Sequence, residues 1–285
     1  MKGKQHTLWL LAALAAPLAH FSGCGWLTAL ITAAALLPLS LLPKEWTFPK
    51  SLALLQLLWL GIVAGTLLPG STVYWPSGNR MAVPLTLMTL AALTKGASAP
   101  RVGAVLAFCM GLLALPAAVS GVARLEPGWL KPELMGWEPG LVLTLMLINL
   151  PIGAVRKGRS MAVTGLVTVS LAALVQGILS PWVAASLPDP FYQTARTLGH
   201  MEPVIAAGMA LGWYAMSAVL YGSASKIAKN CGLGKRLPYV LLWGTAAACT
   251  LLEWKLSAPI LIGFSAFLWV LSPFFQKLKK VKNSA

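Results

Sequence analysis

The sequence predicts an all-α polytopic membrane protein, and three observations carry that prediction. Hydrophobic residues make up 58% of the 285 and charged residues only 10%, with a mean hydropathy of +0.76; a soluble domain carries about a quarter charged residues. Apolar runs of roughly fifteen to twenty residues recur from end to end between short polar breaks, the pattern of helices that cross a bilayer. Alternating segments of roughly ten residues, which a membrane β-barrel requires, do not occur. A net charge of +15 would suit nucleic acid in a soluble protein. Here it fits Lys and Arg gathered in cytoplasmic loops, and no nucleic-acid partner is expected.

About ten transmembrane helices form one integral membrane domain over residues 1–285, at 8–22, 25–43, 51–69, 81–95, 101–121, 139–155, 161–180, 203–225, 237–253 and 256–275. The shorter runs, such as 81–95, fall below the ~20 residues that a full crossing prefers. Charge placement justifies the elements in order. Lys2 and Lys4 precede the first span, and Lys44 and Lys50 separate the second from the third. Lys95 and Arg101 follow the fourth; Arg156, Lys157 and Arg159 follow the sixth. Lys226, Lys229, Lys235 and Arg236 follow the eighth, and Lys277, Lys279, Lys280 and Lys282 the tenth. With both termini in the cytoplasm, these alternate segments hold 17 of the 22 cations, as the positive-inside rule requires. The outer loops keep Arg80, Arg124, Lys131, Arg196 and Lys255, and every acid except Glu45.

Cys24, Cys109, Cys231 and Cys249 show no metal-binding spacing and read as small core residues. A second reading applies to the N-terminus: Lys2, Lys4, an apolar stretch and then "FSGC" have the form of a lipoprotein signal with Cys24 acylated. A further apolar segment starting at Trp26 favours retention of residues 1–23 as part of a span.

"LMLINLPIGAVRKGR", residues 145–159, interrupts span six with Asn149, Pro151 and Gly153 ahead of a basic cluster. Span one, its counterpart in the first half, carries Pro17, His20 and Ser22-Gly23. A proline kink accounts for either break alone. The two together, in matching positions of two five-span halves, point to a 5+5 inverted repeat of transporter-like form. Broken helices expose backbone polar groups that a bilayer tolerates only beside a cavity or a ligand.

The loops carry a resemblance. "YWPSGNRMAVPLTLMTLAALTKGASAPRVGAVL" (74–106), "LKPELMGWEPG" (130–140), "LPDPFYQTARTLG" (187–199) and "GWYAMSAVLYGSASKIAKNCGLGKR" (212–236) resemble the B-subunit, or permease-like, family of spore germinant receptors. "GCGWLTALITA" (23–33) resembles that family's second helix. The family belongs to the amino acid–polyamine–organocation superfamily of ten-span transporters. The similarity is diffuse, runs in order over most of the chain, and rests on weak motifs of Pro, Gly, Arg and aromatic residues. The chain is shorter than typical members, and its first span is abbreviated.

The resemblance implies a membrane subunit that binds a small nutrient, an amino acid or similar, and triggers germination from the spore inner membrane. It implies A-type membrane and C-type lipoprotein subunits as partners. It also implies a ligand pocket near mid-bilayer between spans one, three, six and eight. Span six would contribute Asn149, Pro151 and Gly153, span one Pro17 and His20, span three Gln56, and span eight Trp213 and Tyr214. Freed N–H groups of a broken helix favour a carboxylate, so the guest would be anionic or zwitterionic. Helix–helix packing is the competing reading for Gln56 and Trp213.

A secondary transporter of amino acids or small solutes is the alternative function. Proton-coupled carriers keep an ionisable residue deep in the bilayer, and no acid stands near a span centre in this topology. Three scattered histidines and no paired carboxylates within a span assemble neither a metal site nor an acid–base pair. No enzyme activity, cofactor or metal is therefore expected. The outer loop 186–202 is expected to form a short interfacial segment, with Phe191 and Tyr192 at headgroup level.

Overall fold

A computed structural model describes residues 16–20, 22–36, 50–74, 81–94, 119–134, 158–198 and 202–252, with scattered single positions beyond them. Every element among these residues is helical: α1 (Trp26–Leu36), α2 (Lys50–Leu67), α3 (Ala82–Leu93), α4 (Gly158–Leu179), α5 (Pro181–Ser186), α6 (Pro190–Thr197), α7 (Glu202–Asn230) and α8 (Leu237–Leu251). Residues 16–20 are also helical, and 3-10 turns occupy Ser22–Cys24, Leu68–Tyr74 and Pro127–Trp129. Leu52–Thr72, Ala162–Leu179 and Glu202–Lys229 are long and apolar enough to cross a membrane, while Ala82–Leu93 and Leu237–Leu251 are apolar but shorter. The spans expected at 139–155 and, for the most part, at 8–22, 101–121 and 256–275 lie outside the described residues. α7 runs past the expected end at 225 because its terminator lies further on. Gly232 takes φ 69°, and Leu233 N–H donates to Ala228 O at 2.8 Å, a Schellman stop that needs a residue tolerant of the left-handed region.

The helices form two groups. In the first, α1 packs on α4 along a seam of small residues: Gly165 abuts Ala33, and Thr28, Thr32, Thr164 and Thr168 are buried. Small residues let apolar helices approach closely where lipid supplies no hydrophobic drive between them. Trp26, at the start of α1, meets Gln176, near the end of α4, so the two run antiparallel. In the second group α2 packs on α8, and α7 touches α2, α3 and α8. Gly61 faces Thr245 and Leu242, and Gly65 faces Cys249 and Ala246. Residue numbers rise together across that interface, so α2 and α8 are parallel.

α6 touches both α4 and α7 and thereby joins the groups. Residues 190–197 are helical and packed inward, which corrects the expectation for Phe191: it is 8% exposed and belongs to the core. Pro190, Thr194 and Ala195 are buried on the same face of α6, whose apolar stripe finds protein instead of headgroups. Cys24, Cys231 and Cys249 are buried free thiols, in keeping with a packing role.

Candidate functional site

Asp189 stands between Pro188 and Pro190 at the N-terminus of α6. Pro190 occupies the first helical position, where its missing N–H costs nothing, and Asp189 Oδ1 accepts the Tyr192 N–H at 2.8 Å as the helix cap. The other carboxylate oxygen, Oδ2, lies 2.9 Å from His20 Nδ1. Both side chains are buried, at 1% and 9% exposure. A carboxylate only accepts, so Nδ1 carries the shared proton.

His20 is held from its other sides. Its ring meets Trp213 of α7 edge-on, with centroids 5.9 Å apart and planes at 72°. Gly70 leaves room for the imidazole edge: a Cβ there would stand 2.9 Å from Nε2 and 3.1 Å from the Trp213 ring. One turn before His20, Ala16 packs on Gly212 of α7. Gly23 lies against the Ala184 carbonyl and Pro190. The result is a tightly packed joint. The N-terminal segment, the 3-10 turn after α2, the α6 cap and α7 converge on one hydrogen-bonded pair.

A second cluster braces the same end. Gln176 donates from Nε2 to Trp129 O at 2.8 Å and to Lys131 O at 3.2 Å, while its Oε1 accepts the Trp26 N–H at 3.1 Å. Trp26 Nε1–H donates to Leu130 O at 3.1 Å. Arg124 donates to the Thr197 carbonyl at the end of α6, where a cation suits the helix dipole.

Of the residues singled out from sequence, His20 and Trp213 come together, and Pro17 is buried in the same segment. Gln56 does not join them. It lies 14 residues before Gly70, about 20 Å along a helix, and its Oε1 has no hydrogen-bond partner among the described residues. Tyr214, one residue from Trp213, turns to a different face and lines an open cavity of about 910 Å³ with Leu87, Leu90, Ala207 and Leu211. That lining carries no charge and suits hydrocarbon better than an amino acid. Asn149, Pro151 and Gly153 lie outside the described residues.

Asp189 was missed as a site residue because its loop position suggested solvent; the Pro-Asp-Pro cap is the signal that reveals it. Gln176 had no local signal. Among the described residues no three of His, Cys, Asp and Glu come together to hold a metal. Fold and site define a helical membrane protein. No protein-family model matches the chain, and no curated protein matches it.

Proposed function

We propose that the chain is the membrane subunit of a germinant receptor: a ten-span, transporter-shaped protein of the spore inner membrane that binds an amino acid or similar nutrient. It works with A-type and C-type subunits, keeps both termini in the cytoplasm and catalyses no reaction. One observation supports the reading: five of the six contacting pairs among α1, α2, α3, α4, α7 and α8 are those that a 5+5 repeat would produce. If α4, α7 and α8 repeat α1, α2 and α3, exchanging the halves turns the α2–α8 pair into the α7–α3 pair. The α1–α4, α2–α7 and α3–α8 pairs map onto themselves. These five pairs are in contact, and α1 runs antiparallel to α4, as inversion requires; the sixth, α7–α8, has no comparable α2–α3 counterpart. Folds of this kind bind their ligand between the repeats, and the loop motifs resemble the germinant-receptor family.

The His20–Asp189 pair supports a second reading, a proton-linked transporter, since buried ionisable residues mark proton relays in carriers. Response to nutrient, measured with the partner subunits present, tests the first reading. Asn149→Leu and Gly153→Leu should shift dose dependence without lowering the amount of folded protein. Parental responses in both variants would remove span six from the site. Accumulation of labelled amino acid by the chain alone in vesicles would replace the receptor reading with the transporter.

A further inference from the structure

α3 and α7 touch without closing along their length. α3 presents Leu87, Leu90 and Leu93 at steps of three, neighbours on one side of a helix. On the facing stretch of α7, Ala206, Ala207 and Ala210 offer only methyl groups. Side chains this short leave the open cavity of about 910 Å³ between the two helices. Leu90 and Leu93 stay 47% and 71% exposed, so the cavity is a groove in the apolar surface.

Its length separates the possible occupants. From Pro203 to Tyr214 the groove follows α7 for about 16 Å at 1.5 Å per residue. That is the depth of one leaflet, half of the ~30 Å hydrocarbon core, whereas a crossing helix needs the full depth. No charged side chain lines it among the described residues, which suits hydrocarbon.

The Pro203 end carries both signs of charge. Glu202 opens α7 directly before Pro203, and its Oε1 lies 3.9 Å from Arg196 Nε. That separation is wider than a hydrogen bond, and the Arg196 side chain is 68% exposed. Exposed ion pairs hold each other weakly, so both groups can take a further partner.

We propose that the α3–α7 groove seats an acyl chain of a zwitterionic phospholipid, a phosphatidylethanolamine, with its headgroup at Arg196 and Glu202. The phosphate accepts from the guanidinium, whose planar fork suits it, and the ammonium donates to the carboxylate. A phosphatidylglycerol supplies the phosphate but no cation for Glu202. The proposal rests on the membrane character of the fold and is independent of nutrient binding.

Photolabelling of the full chain in nanodiscs tests this assignment. The nanodiscs contain both phospholipids in equal amounts, with a trace of one or the other carrying a diazirine in its acyl chain, and adducts are mapped by peptide mass spectrometry. The ethanolamine lipid should label residues 203–214 severalfold more than the glycerol lipid does. It should also label them severalfold more than α4 around Leu166, an exposed leucine on another helix. Ala207→Leu with Ala210→Leu fills the groove and should lower the labelling to the Leu166 level. Arg196→Gln with Glu202→Gln should make the two lipids equal. Equal labelling of 203–214 by both lipids in the parent, or labelling no higher than at Leu166, would overturn the proposal. Parental labelling in either folded double variant would overturn it as well.

Discussion

His20 Nδ1 and Asp189 Oδ2 lie 2.9 Å apart although 169 positions separate them in the chain. The contact joins the segment before α1 to the cap of α6, the element that bridges the two helix groups. Removing one partner of a buried pair costs about 3–5 kcal/mol, because the other is left uncompensated. His20→Ala and Asp189→Ala should each destabilise the protein by about that amount in unfolding titrations in bicelles. In the double variant the losses should be non-additive by about 1–3 kcal/mol. Strictly additive losses would mean that the two side chains do not depend on each other.

The Gly61–Gly65 face makes a contrasting prediction within one helix pair. A Cβ at Gly65 would stand 2.6 Å from Cys249 Cβ and 2.9 Å from Ala246 O, so Gly65→Leu must push α8 away and should cost about 1–3 kcal/mol or more. Gly244, on the partner helix, has open space around it. Gly244→Ala should stabilise by about 0.5–1 kcal/mol through helix propensity. Thermal unfolding of the two variants checks the pair; equal and small effects would show that the α2–α8 approach is looser than described.

Gln176 holds three backbone groups with one side chain. Gln176→Leu should therefore loosen residues 125–131 and the start of α1 together, at about 0.5–1.5 kcal/mol per lost bond. Amide exchange should accelerate in both places. Acceleration confined to α4 would show that the loop is held by other contacts.

Retention of the N-terminal segment follows from the same joint. Cleavage before Cys24 would remove His20 and leave the Asp189 carboxylate buried without its partner. The protein isolated from its membrane should give an intact mass that includes residues 1–23. A mass beginning at an acylated Cys24 would establish the lipoprotein reading and remove the His20–Asp189 contact.

Much of the fold was legible in the sequence because hydrophobic run length is a strong local signal. The spans read at 51–69, 81–95, 161–180 and 237–253 coincide with α2, α3, α4 and α8 to within a few residues. Ends were less legible where backbone geometry decides them: Pro69-Gly70 tightens α2 into a 3-10 turn, and α7 continues to the Gly232 stop. In the site, His20 and Trp213 were found as polar or aromatic residues in apolar runs. Asp189 was not, since its burial depends on α6 folding back onto α4 and α7, a tertiary event without a sequence period. Gln176 was missed for the same reason, because all its partners lie in α1 and the 127–131 turn.

Amide exchange of the full chain in nanodiscs, with each proteinogenic amino acid added in turn at saturating concentration, bears most directly on the nutrient-sensor reading. Ligand closure between the helix groups should act on the joint that links them. At least one amino acid should slow exchange in residues 16–24 and 186–198 together, with no other amide segment needed for the comparison. Exchange that stays unchanged in both segments for every amino acid tested would contradict the reading.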